Sequence, residues 1–403
     1  MTDNVNSQRV RVLMDSQAFD MQTHGGISRC FAELISHMPE DINLNLPIIE
    51  SQNIYLKKRG MAPDKDYYME YCNNHPTTLK RFWYKLSTNI KHGHWAQWDR
   101  MPQLSVFEVE RQLVRGEFDV FHPTYFNPYF LRKIGHKPFV LTVHDMIAEL
   151  YSDTYRFKDG QLQGKRKLIP LASHIIAVSE HTKQDIVNLF GIAPEKISVI
   201  YHGIDQSPFV PIPGGNTYGR YILYVGGRNK YKNFSFFVRD MAPVLKNHSD
   251  LSVICTGKPF SPEELRMLQD FGFCDRYMQK FVESDQELLN LYHYAQTFVY
   301  PSEYEGFGIP ILEAYKAGCP VVLNKASCFP EIAGNAAIYF DFDGKGSSLQ
   351  ECIEDILGWT PVQRERFISC QRKRLELYSW EKAARELADV YRKVANKETT
   401  CNA

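Results

Sequence analysis

Short runs of apolar and β-branched residues recur along this chain, and segments with helical periodicity separate them. A run that is apolar throughout is typical of a strand buried on both faces of a parallel sheet. After the first run, Cys30, Leu34 and Met38 recur at a spacing that places them on one helical face. This alternation predicts an α/β fold. The predicted strands lie at residues 10–15, 118–123, 138–145, 173–179 and 197–203, and then at 221–227, 251–257, 296–302, 319–324 and 336–340.

The alternation breaks at residues 205–220, which contain three prolines and three glycines and therefore read as a linker. In a chain of 403 residues, this break predicts two doubly wound, Rossmann-like domains with parallel sheets that face a central cleft. The predicted domains are residues 1–205 and residues 206–378. A final helix, residues 379–403, is expected to cross back to the first domain.

Composition narrows the class of protein. Lys plus Arg and Asp plus Glu each number 47, so the formal net charge is zero, which argues against a chain-wide basic footprint for nucleic acid. The nine cysteines form no Cys-x-x-Cys pair and favour reduced thiols in a cytosolic protein. Neither an apolar run of about 18 residues nor a signal-peptide core is present. We therefore expect a soluble, cytoplasmic protein, with peripheral contact at the inner face of the membrane as an open alternative.

One segment, at about residues 50–105, fits the alternating pattern poorly because it combines basic and aromatic residues. One interpretation is an insertion whose aromatic side chains pack on the first domain. The other is a surface that faces an acceptor or a membrane, where Trp, Tyr, Lys and Arg suit a boundary between water and lipid. Lys57, Lys58 and Arg59 would belong to that surface.

The stretch SEYEGFGIPILEA, residues 302–314, follows a predicted strand and carries Glu305 and Glu313. Pro310 suits the first turn of a helix, which is predicted to run from about Pro310 to Ala317 with Glu313 in its first turn. Gly306 and Gly308 let backbone N–H groups approach a ligand. A helix N-terminus is an anion site, whereas a carboxylate beside it can accept hydrogen bonds from sugar hydroxyls. A ligand that carries both phosphates and hydroxyls satisfies both groups, which indicates a nucleotide sugar.

A second loop, in YVGGRNKYKNF (residues 224–234), places Arg228 and Lys232 directly after a predicted strand. These cations can neutralise a diphosphate, which gains further negative charge when the sugar–phosphate bond breaks. The alternative interpretation is that Arg228 and Lys232 lie on a loop face exposed to solvent.

A third loop, in MQTHGGISR (residues 21–29), places Gly25 and Gly26 before a predicted helix, where the backbone can approach the same ligand. It lacks the Gly-x-Gly-x-x-Gly pattern, so no dinucleotide site is predicted. A fourth segment, TVHDM, places His144 at another strand end, either as a site residue or as a buried structural histidine.

The stretch EYEGFGIPILEAYKAGCPVV resembles the E-x7-E segment of retaining glycosyltransferase family 4, whose fold is GT-B. The resemblance extends over most of the chain, including HGGISR, AVSEHTKQDI and YVGGRNKYKN, except for about residues 45–115. Carried over by position, it implies that the second domain binds the nucleotide sugar and the first receives the acceptor. The spacing of four between Arg228 and Lys232 matches one branch of the family.

The resemblance also implies a role for each site residue. Glu313 would bind the ribose hydroxyls, Glu305 would lie near the transferred sugar, and His144 would lie near its reacting face. Arg228 and Lys232 would bind the diphosphate, and Gly25 and Gly26 would approach it from the first domain. Backbone N–H groups of Gly306, Phe307 and Gly308 would contact the sugar and phosphate. The backbone of Val282 would meet the base.

The predicted function is a retaining hexosyltransferase that uses a nucleoside-diphosphate sugar as donor, with no metal and no other cofactor. GDP-mannose or a related hexose is the favoured donor, and the acceptor is a hydroxyl of a cell-surface glycan or its lipid-linked precursor. The acids of Asp341-Phe342-Asp343 offer a metal-binding alternative. A nucleotide-sugar epimerase on the same fold and a non-catalytic glycan- or nucleotide-binding protein remain as rival functions.

Overall fold

The computed structural model describes residues 9–77, 79–80, 83, 86, 104–152, 160–228, 230–342 and 344–401. The chain divides into two compact units. Unit 1 comprises Met1–Gly203 with Trp380–Ala403, and unit 2 comprises Ile204–Ser379. Both units are built on parallel sheets, which confirms the predicted α/β class.

In the described part of unit 1, the strands are β1 (Val10–Met14), β2 (Ile42–Asn45), β3 (Val120–His122), β4 (Val140–Val143), β5 (His174–Ala177) and β6 (Ile197–Val199). The helices are α1 (Gln17–Met21), α2 (Gly26–Ser36), α3 (Ile54–Lys58), α4 (Lys65–Asn74), α5 (Leu104–Arg115), α6 (Ile147–Leu150), α7 (Gln161–Leu171) and α8 (Glu180–Phe190). Short 3-10 turns cover Pro128–Arg132 and Pro194–Lys196.

The strand order in the sheet of unit 1 reverses next to β1. This strand pairs in parallel with β2, where Val12 faces Leu44, and with β3, where Val12 faces Val120. A parallel bridge between Phe121 and Phe139 continues β3 into the sheet of β4, β5 and β6. The order β2-β1-β3-β4-β5-β6 therefore reverses between β1 and β3, and doubly wound sheets bind ligands at such a switch point.

The C-terminal helix α16 follows the helices of unit 2 in the chain, yet it belongs to the core of unit 1. Its bounds are Trp380–Cys401. Most buried positions of the helix recur every three or four residues, which gives it one apolar face. The buried residues are Trp380, Ala383, Ala384, Leu387, Ala388, Val390, Tyr391 and Val394. This face shares a hydrophobic cluster with Val12 of β1 and Cys30 of α2. An ion pair between Arg392 and Asp41, at 2.7 Å, adds a polar contact.

The described part of the predicted insertion includes α3 and α4. Asn53 caps α3 with its side chain, and Leu56 packs in an apolar cluster with Phe31 of α2. Arg59, from the predicted basic run, forms an ion pair with Glu33. Much of the predicted aromatic surface, within residues 81–103, lies outside the described residues. No helix in the part of the chain that the structure describes is long and apolar enough to cross a membrane.

In the described part of unit 2, the strands are β7 (Arg220–Tyr224), β8 (Leu251–Thr256), β9 (Tyr277–Lys280), β10 (Thr297–Tyr300), β11 (Val321–Asn324) and β12 (Ile338–Phe340). The helices are α9 (Phe234–Asn247), α10 (Pro262–Asp270), α11 (Asp285–Tyr294), α12 (Ile309–Ala317), α13 (Phe329–Ala333), α14 (Leu349–Leu357) and α15 (Pro361–Leu375). Short 3-10 turns cover Lys230–Lys232 and Cys274–Arg276. The parallel order is β12-β11-β10-β7-β8-β9, which reverses between β7 and β10.

All ten predicted strands are present, but β2 and β9 were missed. Both lie at the edge of their sheets, and each is only partly buried along its length. Polar residues interrupt both strands, as in INLN and YMQK, so they lack the continuous apolar run by which the other strands, including the edge strands β6 and β12, were predicted.

Candidate active site

The switch point of unit 2 lies between β7 and β10. These strands are direct neighbours, with Phe298 beside Leu223. The loop after β7 carries the predicted cations, and the loop after β10 carries the first predicted carboxylate. Because both strands run in the same direction, their carboxyl ends meet at one edge of the sheet, where ligands of doubly wound folds bind.

Lys232 and Glu305 form an ion pair across these two loops. Their side chains are 17% and 11% exposed, so the pair is mostly shielded from water but still reachable. The Lys232 ammonium lies 3.5 Å from the hydroxyl of Tyr300 and 5.4 Å from the centre of that ring. Burial, followed by the charge of Glu305, raises the pKa of Tyr300 well above its ordinary value, so this hydroxyl stays protonated. The Tyr231 carbonyl accepts a hydrogen bond from Glu303 N at 2.8 Å and ties the loops together.

Arg228 has other partners. Its Nε donates to Glu264 at 2.8 Å, and one terminal nitrogen donates to the carbonyls of Lys258 at 2.7 Å and Pro259 at 2.9 Å. The guanidinium lies 4.8 Å from the centre of the Phe260 ring, and the side chain is only 7% exposed. The Arg228 side chain is therefore held against α10 and the loop before it, whereas Lys232 pairs with Glu305.

The glycine-rich loop leads into α12 as expected, with one correction. Gly308 adopts a left-handed φ of 89° at the N-cap, and Gly318 closes the helix at φ 69°. The helix begins at Ile309, one residue before the predicted Pro310, so Glu313 is its fifth residue and lies beyond the first turn. Glu313 is 8% exposed, and its charge adds to burial in raising the pKa of Tyr292 well above its ordinary value.

The remaining unit 2 residues of the prediction surround this edge. Gly306 and Phe307 precede the N-cap of α12, and Phe307 is buried against Tyr378 with ring centres 5.8 Å apart. The Phe307 side chain therefore packs in the core of unit 2. Val282 follows the carboxyl end of β9, two strands from β7.

In unit 1, Gly25 and Gly26 lie at the N-terminus of α2. Gly25 is the N-cap and Gly26 the first helical residue. The side-chain oxygen of Gln22 accepts a hydrogen bond from Ser28 N at 3.0 Å and so occupies part of this N-terminus. A Cβ on Gly25 would lie 2.5 Å from that oxygen, so a larger residue there would require the Gln22 side chain to move. Nothing in the sequence singles out Gln22 for this capping role.

His144 lies at the carboxyl end of β4 in an aromatic cluster. Its ring stacks on His202 with centres 5.7 Å apart and meets Phe31 edge-on at 5.8 Å. Burial lowers the pKa of His144 to about 4, so the ring is neutral at pH 7. Its Nε2 is buried and has no hydrogen-bond partner within the described residues. This nitrogen is the one feature of the cluster that suits a ligand.

The neighbouring histidines are structural. His122 Nδ1 lies 2.6 Å from the hydroxyl of Tyr391, and its Nε2 lies 3.0 Å from Thr142 Oγ1. His202 Nδ1 lies 3.2 Å from the thiol of Cys30. Burial lowers the pKa of both histidines to about 3. Each ring is therefore neutral and has a polar partner inside unit 1.

Among the described residues, no group of three His, Cys, Asp or Glu side chains is arranged to hold a metal ion. Asp343, the second acid of the Asp-x-Asp alternative, lies outside the described residues.

Three polar residues around these loops were not predicted. Glu264 engages Arg228, while Asn324, at the end of β11, and Ser327, which follows that strand, hydrogen-bond the loop that carries Glu305. The rule that strand ends converge could have found Asn324 and Ser327, because they lie at and just after the end of the predicted strand 319–324. No sequence signal links Glu264 to Arg228, since the two lie 36 positions apart.

Comparison with solved structures identifies the fold. HepE of Anabaena, solved in complex with UDP and glucose, matches 95% of this chain and 100% of its own with a TM-score of 0.67 at 15% identity. A glycosyltransferase from Rickettsia africae matches 96% and 98% with a TM-score of 0.63 at 14% identity. Together with the two parallel sheets, these likenesses confirm the predicted GT-B fold.

Two family models identify the family. The model described as Glycosyltransferase Family 4 matches residues 75–207, and the model described as Glycosyl transferases group 1 matches residues 211–374. The two matches lie in separate parts of the chain and together confirm the predicted resemblance to glycosyltransferase family 4. The first match begins at residue 75, so the expectation that residues 45–115 lack a family counterpart is wrong from that residue onward.

Curated relatives are similar to this chain over part of their length. The O-antigen chain mannosyltransferase RfbU of Salmonella typhimurium is 30% identical over 54% of this chain and 60% of its own. The MMP alpha-(1->4)-mannosyltransferase of Mycolicibacterium hassiacum is 26% identical over 71% and 73%. The O-antigen chain mannosyltransferase B of Escherichia coli is 27% identical over 68% and 74%.

Proposed function

We propose that this protein is a retaining glycosyltransferase that moves a hexose from a nucleoside-diphosphate sugar to a hydroxyl group without a metal ion. The observation that carries the proposal is the Lys232–Glu305 pair at the switch point of unit 2. A cation and a carboxylate on adjacent loops, next to a glycine-capped helix N-terminus, match the two kinds of group in a nucleotide sugar.

The chemistry assigns a separate task to each group. When the sugar–phosphate bond breaks, negative charge develops on the departing diphosphate, and a fixed cation stabilises it. Lys232 would supply this cation, and the N–H groups that begin α12 can further stabilise the negative charge. Glu305 would then accept hydrogen bonds from the sugar hydroxyls. Arg228 is already held by Glu264 and by two backbone carbonyls, so we assign the main electrostatic role to Lys232.

The relatives support a narrower donor and acceptor. Three of them are named as mannosyltransferases, two of which act on O-antigen chains by name. We therefore propose a mannosyl donor, with GDP-mannose first, and a cell-surface glycan or its lipid-linked precursor as acceptor. Peripheral contact with the inner face of the membrane would follow from a lipid-linked acceptor.

The first experiment is a thermal shift of the purified protein with GDP, UDP, dTDP, ADP and CDP, each with and without EDTA. A ligand at 100 times its Kd stabilises the folded state by about 2.7 kcal/mol, which is a shift of several degrees. A shift by one nucleotide that EDTA leaves unchanged supports the metal-free donor site. A shift that EDTA abolishes would contradict it and direct attention to Asp341 and Asp343.

The second experiment measures turnover of the sugar form of that nucleotide, with and without candidate acceptors. Lys232→Met and Glu305→Gln should each lower turnover by about 100-fold or more. Lys246→Met, an exposed position at the end of α9, serves as the matched control. Wild-type rates in both site variants would contradict the proposal. Conversion of the donor to an epimer without acceptor would favour the epimerase instead.

A further inference from the structure

One hydroxyl group holds both backbone polar groups of Glu305. Ser327 Oγ accepts a hydrogen bond from Glu305 N at 3.1 Å and donates one to Glu305 O at 2.7 Å. Ser327 lies in the loop after β11, the strand next to β10. The contact therefore runs between the ends of adjacent strands and fixes the peptide units on either side of the Glu305 side chain.

The same loop holds the other end of the segment. Asn324, at the end of β11 and 4% exposed, donates from Nδ2 to Ser302 O at 3.1 Å. On the opposite side, Glu303 N donates to the Tyr231 carbonyl at 2.8 Å. Residues 302–305 are thus anchored through the backbone from both neighbouring strands.

Backbone strain singles out the same place. Among the described residues, the non-glycine residues with positive φ are Asn233, at 58°, and Ser327, at 55°. Asn233 directly follows Lys232, and Ser327 contacts Glu305, so each strained residue adjoins one member of the ion pair. Strained conformations persist where the surrounding structure requires them, and they concentrate at functional sites. Glycine would adopt this conformation at Ser327 with less strain, so the hydroxyl is the feature that the serine adds.

We propose that Ser327 is a positioning residue for glycosyl transfer, which acts through the backbone of Glu305 and does not touch the sugar itself. The inference rests on the proposed function of the Lys232–Glu305 pair. A carboxylate that must meet sugar hydroxyls has to be held closely in place, because a displacement of about 1 Å can reduce a rate by about 100-fold. Loss of the Ser327 hydroxyl would release both backbone groups of Glu305 at once.

The test uses two substitutions that separate the hydroxyl from the strain. Ser327→Gly removes the hydroxyl and suits the left-handed backbone, whereas Ser327→Ala removes the hydroxyl and leaves the strain in place. Both should lower kcat for the nucleotide-sugar donor by about 10- to 100-fold, with a smaller change in KM. Amide hydrogen exchange of residues 302–306 should become faster in both. Of the two, Ser327→Gly should keep the melting temperature closer to the wild type.

A matched control comes from Ser348, which caps α14 of the same unit by accepting a hydrogen bond from Glu351 N at 3.2 Å. Ser348→Ala should lower the melting temperature without changing kcat, so it reports on lost stability alone. If Ser327→Gly turns over like the wild type while Glu305→Gln is impaired, the inference is wrong and the proposed site stands. Equal losses of kcat in Ser327→Gly and Ser348→Ala, or unchanged exchange at residues 302–306, would also overturn it. Full activity in Glu305→Gln and Lys232→Met would instead remove the proposed site.

Discussion

Replacement of Lys165 by methionine should destabilise unit 1 strongly. Lys165, on α7, has a fully buried side chain. Its ammonium donates to the Asp145 carbonyl at 2.6 Å, to Asp145 Oδ1 at 3.2 Å and to Glu149 Oε2 at 3.1 Å. It also lies 5.3 Å from the centre of the Phe126 ring. Methionine keeps most of the length and apolar volume of the side chain, so the substitution mainly removes the charge.

The magnitude follows from the two carboxylates that lose their cation. Removing one partner of a buried ion pair typically costs about 3 to 5 kcal/mol, because the other charge stays buried. For a unit of about 200 residues, each kcal/mol lowers the melting temperature by about 2 to 4 °C, so we expect a drop of about 6 to 20 °C. Burial alone would raise the pKa of Asp145, but Lys165 holds it below its ordinary value of 3.8. That contribution is present above pH 3.8 and disappears as pH falls through the pKa of the folded state.

The assay is thermal and urea unfolding of the full chain at neutral and acid pH. Lys393→Met, an exposed position on α16, is the control. Substituting Asp145→Asn and Glu149→Gln in the Lys165→Met background should recover most of the loss, because the uncompensated charges are then gone. A variant within about 1 kcal/mol of the wild type at pH 7, or a loss that persists undiminished in acid, would refute the reasoning.

Three further predictions concern the two units. Gly308→Ala should lower stability by about 1 to 2 kcal/mol in thermal unfolding, because the residue has a φ of 89° and its new Cβ would lie 3.1 and 3.2 Å from two core side chains. His202→Gln should reduce the loss of stability that occurs as pH falls from 6.5 to 4. The wild-type ring has a pKa of about 3 in the folded state and 6.5 in the unfolded state, so each pH unit of acidification in this range lowers the free energy of unfolding by about 1.4 kcal/mol. Arg228→Met should lower donor turnover less than Lys232→Met does, because Arg228 is held by Glu264; equal losses would show that it also reaches the phosphate.

The central strands could be predicted from the sequence because burial on both faces demands apolar residues at every position. β2 and β9 could not, because polar residues interrupt these two edge strands, as in INLN, whereas the edge strands β6 and β12 are more apolar and were predicted. The start of α12 was displaced by one residue because Gly308 caps the helix and moves Pro310 to its second position. These differences concern two edge strands and one helix end.

The candidate site divides in the same way. Lys232 and Glu305 could be placed together because each follows a strand, and parallel strands bring their carboxyl ends to one edge. The orientation of Arg228 could not be predicted, because it depends on Glu264, whose carboxylate also accepts from Ser261 N at 2.7 Å to complete a capping box on α10. The sequence predicts the loop that carries a charged side chain, whereas the partners available in the fold decide which group that side chain contacts.

The Lys232–Glu305 pair also makes a prediction about the unliganded site. A mostly buried cation without a partner is unfavourable, and Glu305 supplies the carboxylate that balances Lys232. Under the proposed function, the donor diphosphate replaces that carboxylate and frees it for the sugar. Glu305→Gln should therefore bind the free nucleotide diphosphate more tightly than the wild type, by about tenfold or 1.4 kcal/mol, although it transfers sugar more slowly. Calorimetry with GDP tests this opposition, and weaker GDP binding by Glu305→Gln would show that the carboxylate does not compete with phosphate for Lys232.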